Sequence, residues 1–172
     1  YLRLTTRQIE QQPRANDSWQ TGAIAGAYWL REPEPGAKAA IAYSGAVAPE
    51  ALSAWEQMLD DLPGLGLLAI TSPDRLHRDW SRARAARWTG DKREPSLIER
   101  LLGDLAPDAG LVTVLDGSPA ALSWLGGVRG HQVSPLGTDR FGQTGDVPDL
   151  YGFYRIDAEA IVDAAAELFL GN

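Results

Sequence analysis

Asp139, Arg140 and Phe141 stand between Gly137 and the glycines Gly142 and Gly145, just past the apolar run Val133 to Leu136. A charged pair and one aromatic bracketed by glycines is a set that a small ligand or a neighbouring domain could meet. Gly142 and Gly145 allow backbone angles that a Cβ would forbid, so the loop can turn sharply while holding Phe141 in one direction. Ligands favour the loops at the carboxyl ends of parallel strands. Asp139, Arg140, Phe141 and Gly142 therefore form the candidate functional loop. The competing reading is a structural turn whose aromatic plugs the end of a sheet.

A second group is cationic. Arg75, Arg78, Arg82, Arg84, Arg87, Lys92 and Arg93 gather seven of the 16 basic residues in one stretch. On a helix Arg75, Arg78 and Arg82 share one side, and Trp80, Arg84 and Trp88 share the other. One reading is a solvated face backed by an aromatic stripe in the core. The other makes Arg75, Arg78 and Arg82 a docking face for another domain, subunit or acidic partner, because Arg and Trp are enriched at such contacts.

Other patterns carry little chemistry. Gly64-x-Gly66-x-x-Ala69 matches the dinucleotide fingerprint in letters, but that motif needs a strand before it and a helix after it. Here a helix pattern precedes and a strand pattern follows. His77 and His131 are the only histidines, and neither has a His or Cys at metal-ligand spacing. Neither Ser44 nor Ser118 lies in a Gly-x-Ser-x-Gly elbow. No residue is assigned to catalysis, cofactor binding or a metal.

The elements that must position these groups follow from periodicity and punctuation. Tyr1 to Ile9 alternates like a half-buried strand, and a strand cut at its first residue suggests a piece of a longer chain. Glu10 to Gln20 is polar and aperiodic and reads as a linker. Gly26 to Arg31, Ala39 to Tyr43, Leu67 to Ile70, Leu111 to Leu115 and His131 to Leu136 read as strands. Between them lie helix patterns. One begins at Pro49 and carries Leu52, Trp55, Leu59 and Leu62 on one face. Another runs from the Ser72-Pro73 start to Trp88. A third is capped by Ser96 and presents Ile98, Leu101, Leu102 and Leu105. A short one opens at Ser118-Pro119 and ends at Gly126-Gly127. Asp146 to Asp149 reads as turn chemistry, and Asp157 caps a last helix bearing Ile161, Ala164, Ala165 and Leu168. Alternating strands and helices imply an α/β sandwich with a mostly parallel sheet.

Composition bounds the rest. A chain of 172 residues is one domain by default and can bury roughly 70% of its unfolded surface. A net charge of -7 argues against a general nucleic-acid binder. No apolar run approaches the roughly 20 residues that span a bilayer, so no membrane partner is expected. The lack of Cys favours a cytoplasmic setting.

In order, Gly137, Asp139, Phe141, Gly142, Thr144, Leu150, Tyr154, Ile161, Val162, Ala164 and Ala165 form a pattern that resembles the C-terminal domain of transketolase-like, thiamine-diphosphate-dependent enzymes. Thr144 stands where Ser is commoner. The reading Tyr154-Arg155-Ile156-Asp157-Ala158, with Arg87-Trp88 and Ala106-Pro107, is similar to the homodimeric first component of the pyruvate dehydrogenase complex. The resemblance implies a three-layer sandwich with a mixed, mostly parallel five-stranded sheet, and Gly26 to Arg31 is the choice for its antiparallel edge strand. It implies that residues 1–20 are the end of a preceding pyrimidine-binding domain and a linker, and that 21–172 are the C-terminal domain. A parent enzyme would bind thiamine diphosphate and Mg²⁺ on domains outside this sequence, leaving none bound by this fragment. The implied partners are the preceding domains, a homodimer partner and the acyltransferase component.

Overall fold

The computed structural model describes residues 7–13, 17–90, 94–140 and 142–170. Its elements are α1 (Trp19–Ala25), β1 (Ala27–Arg31), β2 (Ala37–Ser44), α2 (Ala48–Met58), β3 (Gly66–Ile70), α3 (Pro73–Trp88), α4 (Leu97–Leu101), β4 (Leu105–Leu115), α5 (Ala120–Ser123), α6 (Gly126–Arg129), β5 (Gln132–Leu136), α7 (Val147–Tyr154) and α8 (Ala158–Leu170). The strands form one five-stranded sheet in the order β1-β3-β2-β4-β5. β3, β2, β4 and β5 are parallel, and β1 lies antiparallel on the edge, Ala27 opposite Ile70. The expected mixed sheet and its edge strand are both present.

Helices cover both faces, and this explains the continuous apolar runs of the inner strands. All five residues of β3 are buried, as are Ala39 to Tyr43 of β2. On one side Ala40, Ala42, Leu68, Ile70 and Leu111 meet Leu76 and Trp80 of α3, Ile98 of α4 and Leu122 of α5. On the other, Ile41, Tyr43, Leu67, Ala69, Val112 and Val114 meet α2, Tyr151 of α7 and Ile161, Ala164 and Ala165 of α8. The far edge is β5, whose residues are exposed or half-buried and which includes Pro135.

Several elements depart from the sequence expectation. Of the alternating Tyr1 to Ile9 segment, residues 1–6 lie outside the described residues, and 7–9 form no strand. The polar stretch to Gln20 already contains the start of α1. α2 ends at Met58 rather than at Pro63, and its deepest residues are Ala51, Ala54 and Met58. Leu52, Trp55 and Leu62 pack at the flank. The face is rotated because α2 lies against the alanines of α8, where small side chains allow close approach. Leu105 continues no helix. The chain tightens into a single 3₁₀ turn at Leu102–Asp104 and then enters β4, with Leu105 opposite Ala37. Ser96 caps α4 as expected, its hydroxyl accepting from the Glu99 amide while the Glu99 carboxylate accepts from the Ser96 amide. Ser72 and Ser118 make no such side-chain cap. Their backbone carbonyls accept the first helical bonds instead.

His131, just before β5, is only 4% exposed, and among the described residues neither ring nitrogen makes a hydrogen bond of ordinary geometry, although the Ala109 and Leu102 carbonyls lie near the ring. Burial pushes its pKa below the usual 6.5, and the nearby Arg129 charge adds to the shift. The carbonyls of Ala109 and Leu102 oppose this only in part. A base held neutral in the fold but free to protonate when unfolded removes stability as pH falls. The loss begins below the unfolded value of about 6.5 and ends at the lower folded value. Urea unfolding at pH 7.5 and 5.5 should show a drop in the native chain that is smaller in His131→Leu. Equal drops would show that His131 does not carry the effect.

Candidate functional site

The four parallel strands end at Ser44, Ile70, Leu115 and Leu136, so the loops after them gather at one edge of the sheet. The Thr138 amide donates to the Gly117 carbonyl at 2.8 Å, tying the loop after β5 to the loop after β4. Gly137 makes this approach possible. A Cβ there would lie 2.4 Å from the Gly117 oxygen and 2.8 Å from the Pro119 nitrogen. Asp139 and Arg140 face solvent and pair weakly with one another at 3.5 Å. The Tyr154 hydroxyl donates to the Arg140 carbonyl at 3.1 Å, fastening the loop to α7. Gly142 has φ +98 and open space around it, so its backbone angle alone calls for glycine. Phe141 lies outside the described residues, as do Lys92 and Arg93 of the cationic stretch.

α7 is an element that sequence reasoning missed. The Asp146 carboxylate accepts from the Asp149 amide at 3.1 Å, and Pro148 sits in the first turn. Those are helix-start signals, present in the segment read as a turn. α7 carries Tyr151 under the edge of the sheet and leaves Val147 and Phe153 exposed.

The polar centre of this edge was also missed, because its members are far apart in the chain. Arg7 reaches across from the leading segment. Its two terminal nitrogens donate to the Glu50 carboxylate at 2.7 and 3.0 Å, and one also donates to the Ala46 carbonyl at 3.3 Å. The guanidinium stands 5.3 Å from the centre of the Tyr151 ring. The bond to Glu50 pushes the Arg7 pKa up. Burial and the Asp116 charge push the Tyr151 phenol up. Arg7, Glu50, Val147, Pro148, Tyr151 and Asp157 line a cleft of about 340 Å³.

The charge pattern of that cleft does not fit a diphosphate. Its one lining cation is already bound in bidentate fashion by a carboxylate, and its other charged groups are acids. Among the described residues no three His, Cys, Asp or Glu side chains are placed to hold a metal ion. What the arrangement does is clamp: it fixes the leading segment, α2 and α7 onto the carboxyl edge.

The cationic stretch forms α3, with Arg75, Arg78 and Arg82 all exposed. Arg75 donates to the Ile24 carbonyl. The aromatic stripe is only half buried. Trp80 is in the core, whereas Trp88 is 74% exposed, because the helix runs on past the layer that covers Trp80. The Arg84 guanidinium bridges the two rings, 5.3 Å from Trp80 and 4.9 Å from Trp88. Arg87 leaves the basic set to pair with Glu99 at 2.6 Å. The Gly64-x-Gly66 pair lies between α2 and β3, with Gly66 inside β3 against the Trp29 ring, so the letters of the dinucleotide motif are satisfied by packing.

No family model matches this sequence, and no curated protein matches it. Solved structures do. A transketolase from Leishmania mexicana superposes with a TM-score of 0.60 at 17% identity, over 91% of this chain and 20% of its own. A transketolase variant from Pichia stipitis gives 0.59 at 20% identity, over 93% and 20%. A split-gene transketolase, described as an inactive β4 tetramer, gives 0.59 at 14% identity, over 84% and 42%. At these identities the likeness is one of fold. This chain spans about a fifth of the length of the first two.

Proposed function

We propose that this chain is the C-terminal domain of a transketolase-like, thiamine-diphosphate-dependent enzyme, of the branch of the homodimeric first component of pyruvate dehydrogenase. The observation that carries the reading is the fold itself. A parallel sheet with an antiparallel edge strand matches 91% of this chain to 20% of a transketolase. The Tyr154-Arg155-Ile156-Asp157-Ala158 sequence supports the pyruvate branch. Transketolase and other 2-oxo-acid dehydrogenases are the alternatives within the fold.

In this reading the parent enzyme decarboxylates pyruvate and passes the acetyl unit to lipoyl groups. Thiamine diphosphate and Mg²⁺ belong to its other domains, and no chemical step is assigned to residues here. This domain contributes architecture and assembly contacts: to the preceding domains, to a second protomer, and as a candidate surface for the acyltransferase component. The exposed apolar Val147, in the lining of the Arg7 cleft, and Phe153, farther along α7, are suited to such contacts. The parent is proposed to be cytoplasmic. No described helix is long and apolar enough to cross a membrane.

Titration calorimetry tests the division of labour. The 172-residue chain, mixed with thiamine diphosphate and Mg²⁺, is expected to give only heats of dilution. Saturable binding at micromolar cofactor would overturn the assignment of the cofactor to other domains. For the parent enzyme, turnover of pyruvate and not of a ketose phosphate would select the proposed branch, and the reverse would select transketolase.

A further inference from the structure

We propose that the outward face of α3 is a docking surface for an extended acidic segment of another polypeptide, whose alternate carboxylates seat on Arg78 and Arg82. The inference does not depend on the enzyme assignment.

Two observations carry it. First, the charges are open. Arg78 and Arg82 are exposed, and no described residue bonds or pairs with either. The acids of α3 do not pair with them: Asp79 accepts from the Leu97 amide, and Asp74, one turn before Arg78, makes no ion pair with it and sits at the positive end of the helix. Second, the spacing suits the proposed ligand. Four residues of helix separate the two guanidinium stems by about 6 Å. Residues at alternate positions of an extended strand lie about 7 Å apart on one face.

The described part of the chain's own leading segment does not supply the acids. Its earliest described residue, Arg7, is clamped by α2 and α7, in the layer on the opposite face of the sheet from α3. A nucleic acid is disfavoured by the net charge of -7 and by the shortness of the cationic strip.

The test uses the intact chain and a short end-blocked peptide of alternating Glu and Thr, followed by amide NMR shifts. Saturable shifts confined to α3 and centred on Arg78 and Arg82 are expected, weakening as salt is added. Arg78→Ala/Arg82→Ala should reduce affinity about tenfold or more, while Arg78→Lys/Arg82→Lys retains most of it. The matching Gln–Thr peptide should leave the spectrum unchanged. Absent or scattered shifts would overturn the proposal, as would equal affinity in the alanine double variant. Shifts on α3 from an oligothymidylate but not from the acidic peptide would overturn it in favour of a nucleic-acid ligand.

Discussion

Gly137→Ala is expected to destabilise the chain by about 3 kcal/mol, the upper part of the range for forced overpacking. The added methyl carbon would stand 2.4 Å from the Gly117 carbonyl oxygen and 2.8 Å from the Pro119 nitrogen. Both are backbone atoms, so no side-chain rotamer can relieve the contact. The loop after β5 must move away from the loop after β4, and the Thr138 amide then loses its 2.8 Å bond to Gly117. Urea denaturation measures the change. Gly142→Ala is the control, since a Cβ there meets nothing within 4 Å and only the positive φ of +98 is violated. That costs about 1 kcal/mol. Equal losses at the two positions would show that the approach of the two loops is not what constrains Gly137.

Ile156→Ala is expected to cost about 2–5 kcal/mol, as other large-to-small changes in a packed core do. Ile156 is fully buried, and its amide donates to the Tyr151 carbonyl at 2.9 Å. It lies between two specialised positions. Arg155 is the one described non-glycine residue with positive φ, at 54, and ends α7. Asp157 accepts from the Ala160 amide at 2.9 Å and starts α8. A cavity at Ile156 would loosen the joint between the two helices and with it the seat of Tyr151 under the Arg7 clamp. In a chain of this size about 3 kcal/mol corresponds to a fall of roughly 6–12 °C in Tm. A fall of less than about 2 °C would show that the joint is held by the helices rather than by Ile156.

The strands were legible because burial on both faces leaves an unmistakable apolar run in a parallel sheet. Ala39 to Tyr43 and Leu111 to Leu115 are such runs. The edge strand was legible from its position and from the prolines that follow it. α7 was misread because a cap, an acid and a proline also make a turn, and eight residues offer too few periods to decide. The rotated face of α2 was hidden for another reason: ranking by hydrophobicity favours Leu over Ala, while close packing of two helices favours Ala. The exposure of Trp88 follows from where the covering layer stops, which no local pattern records. The Arg7–Glu50 clamp could not be read at all. Its partners are 43 positions apart, and only the completed sheet brings them to one edge.

β5 closes the sheet with a strand of five residues, and Pro135 stands opposite Thr113 within it. Proline has no N–H to offer an incoming strand. A second chain trying to lengthen this sheet at β5 would therefore find the row of donors interrupted at the fourth of its five residues. The short strand protects against fibre-like growth at the side of the molecule where the ladder would otherwise lie open. Self-association on the β5 side of this chain, when it occurs, should thus bury helices and leave the hydrogen bonding of that edge unchanged.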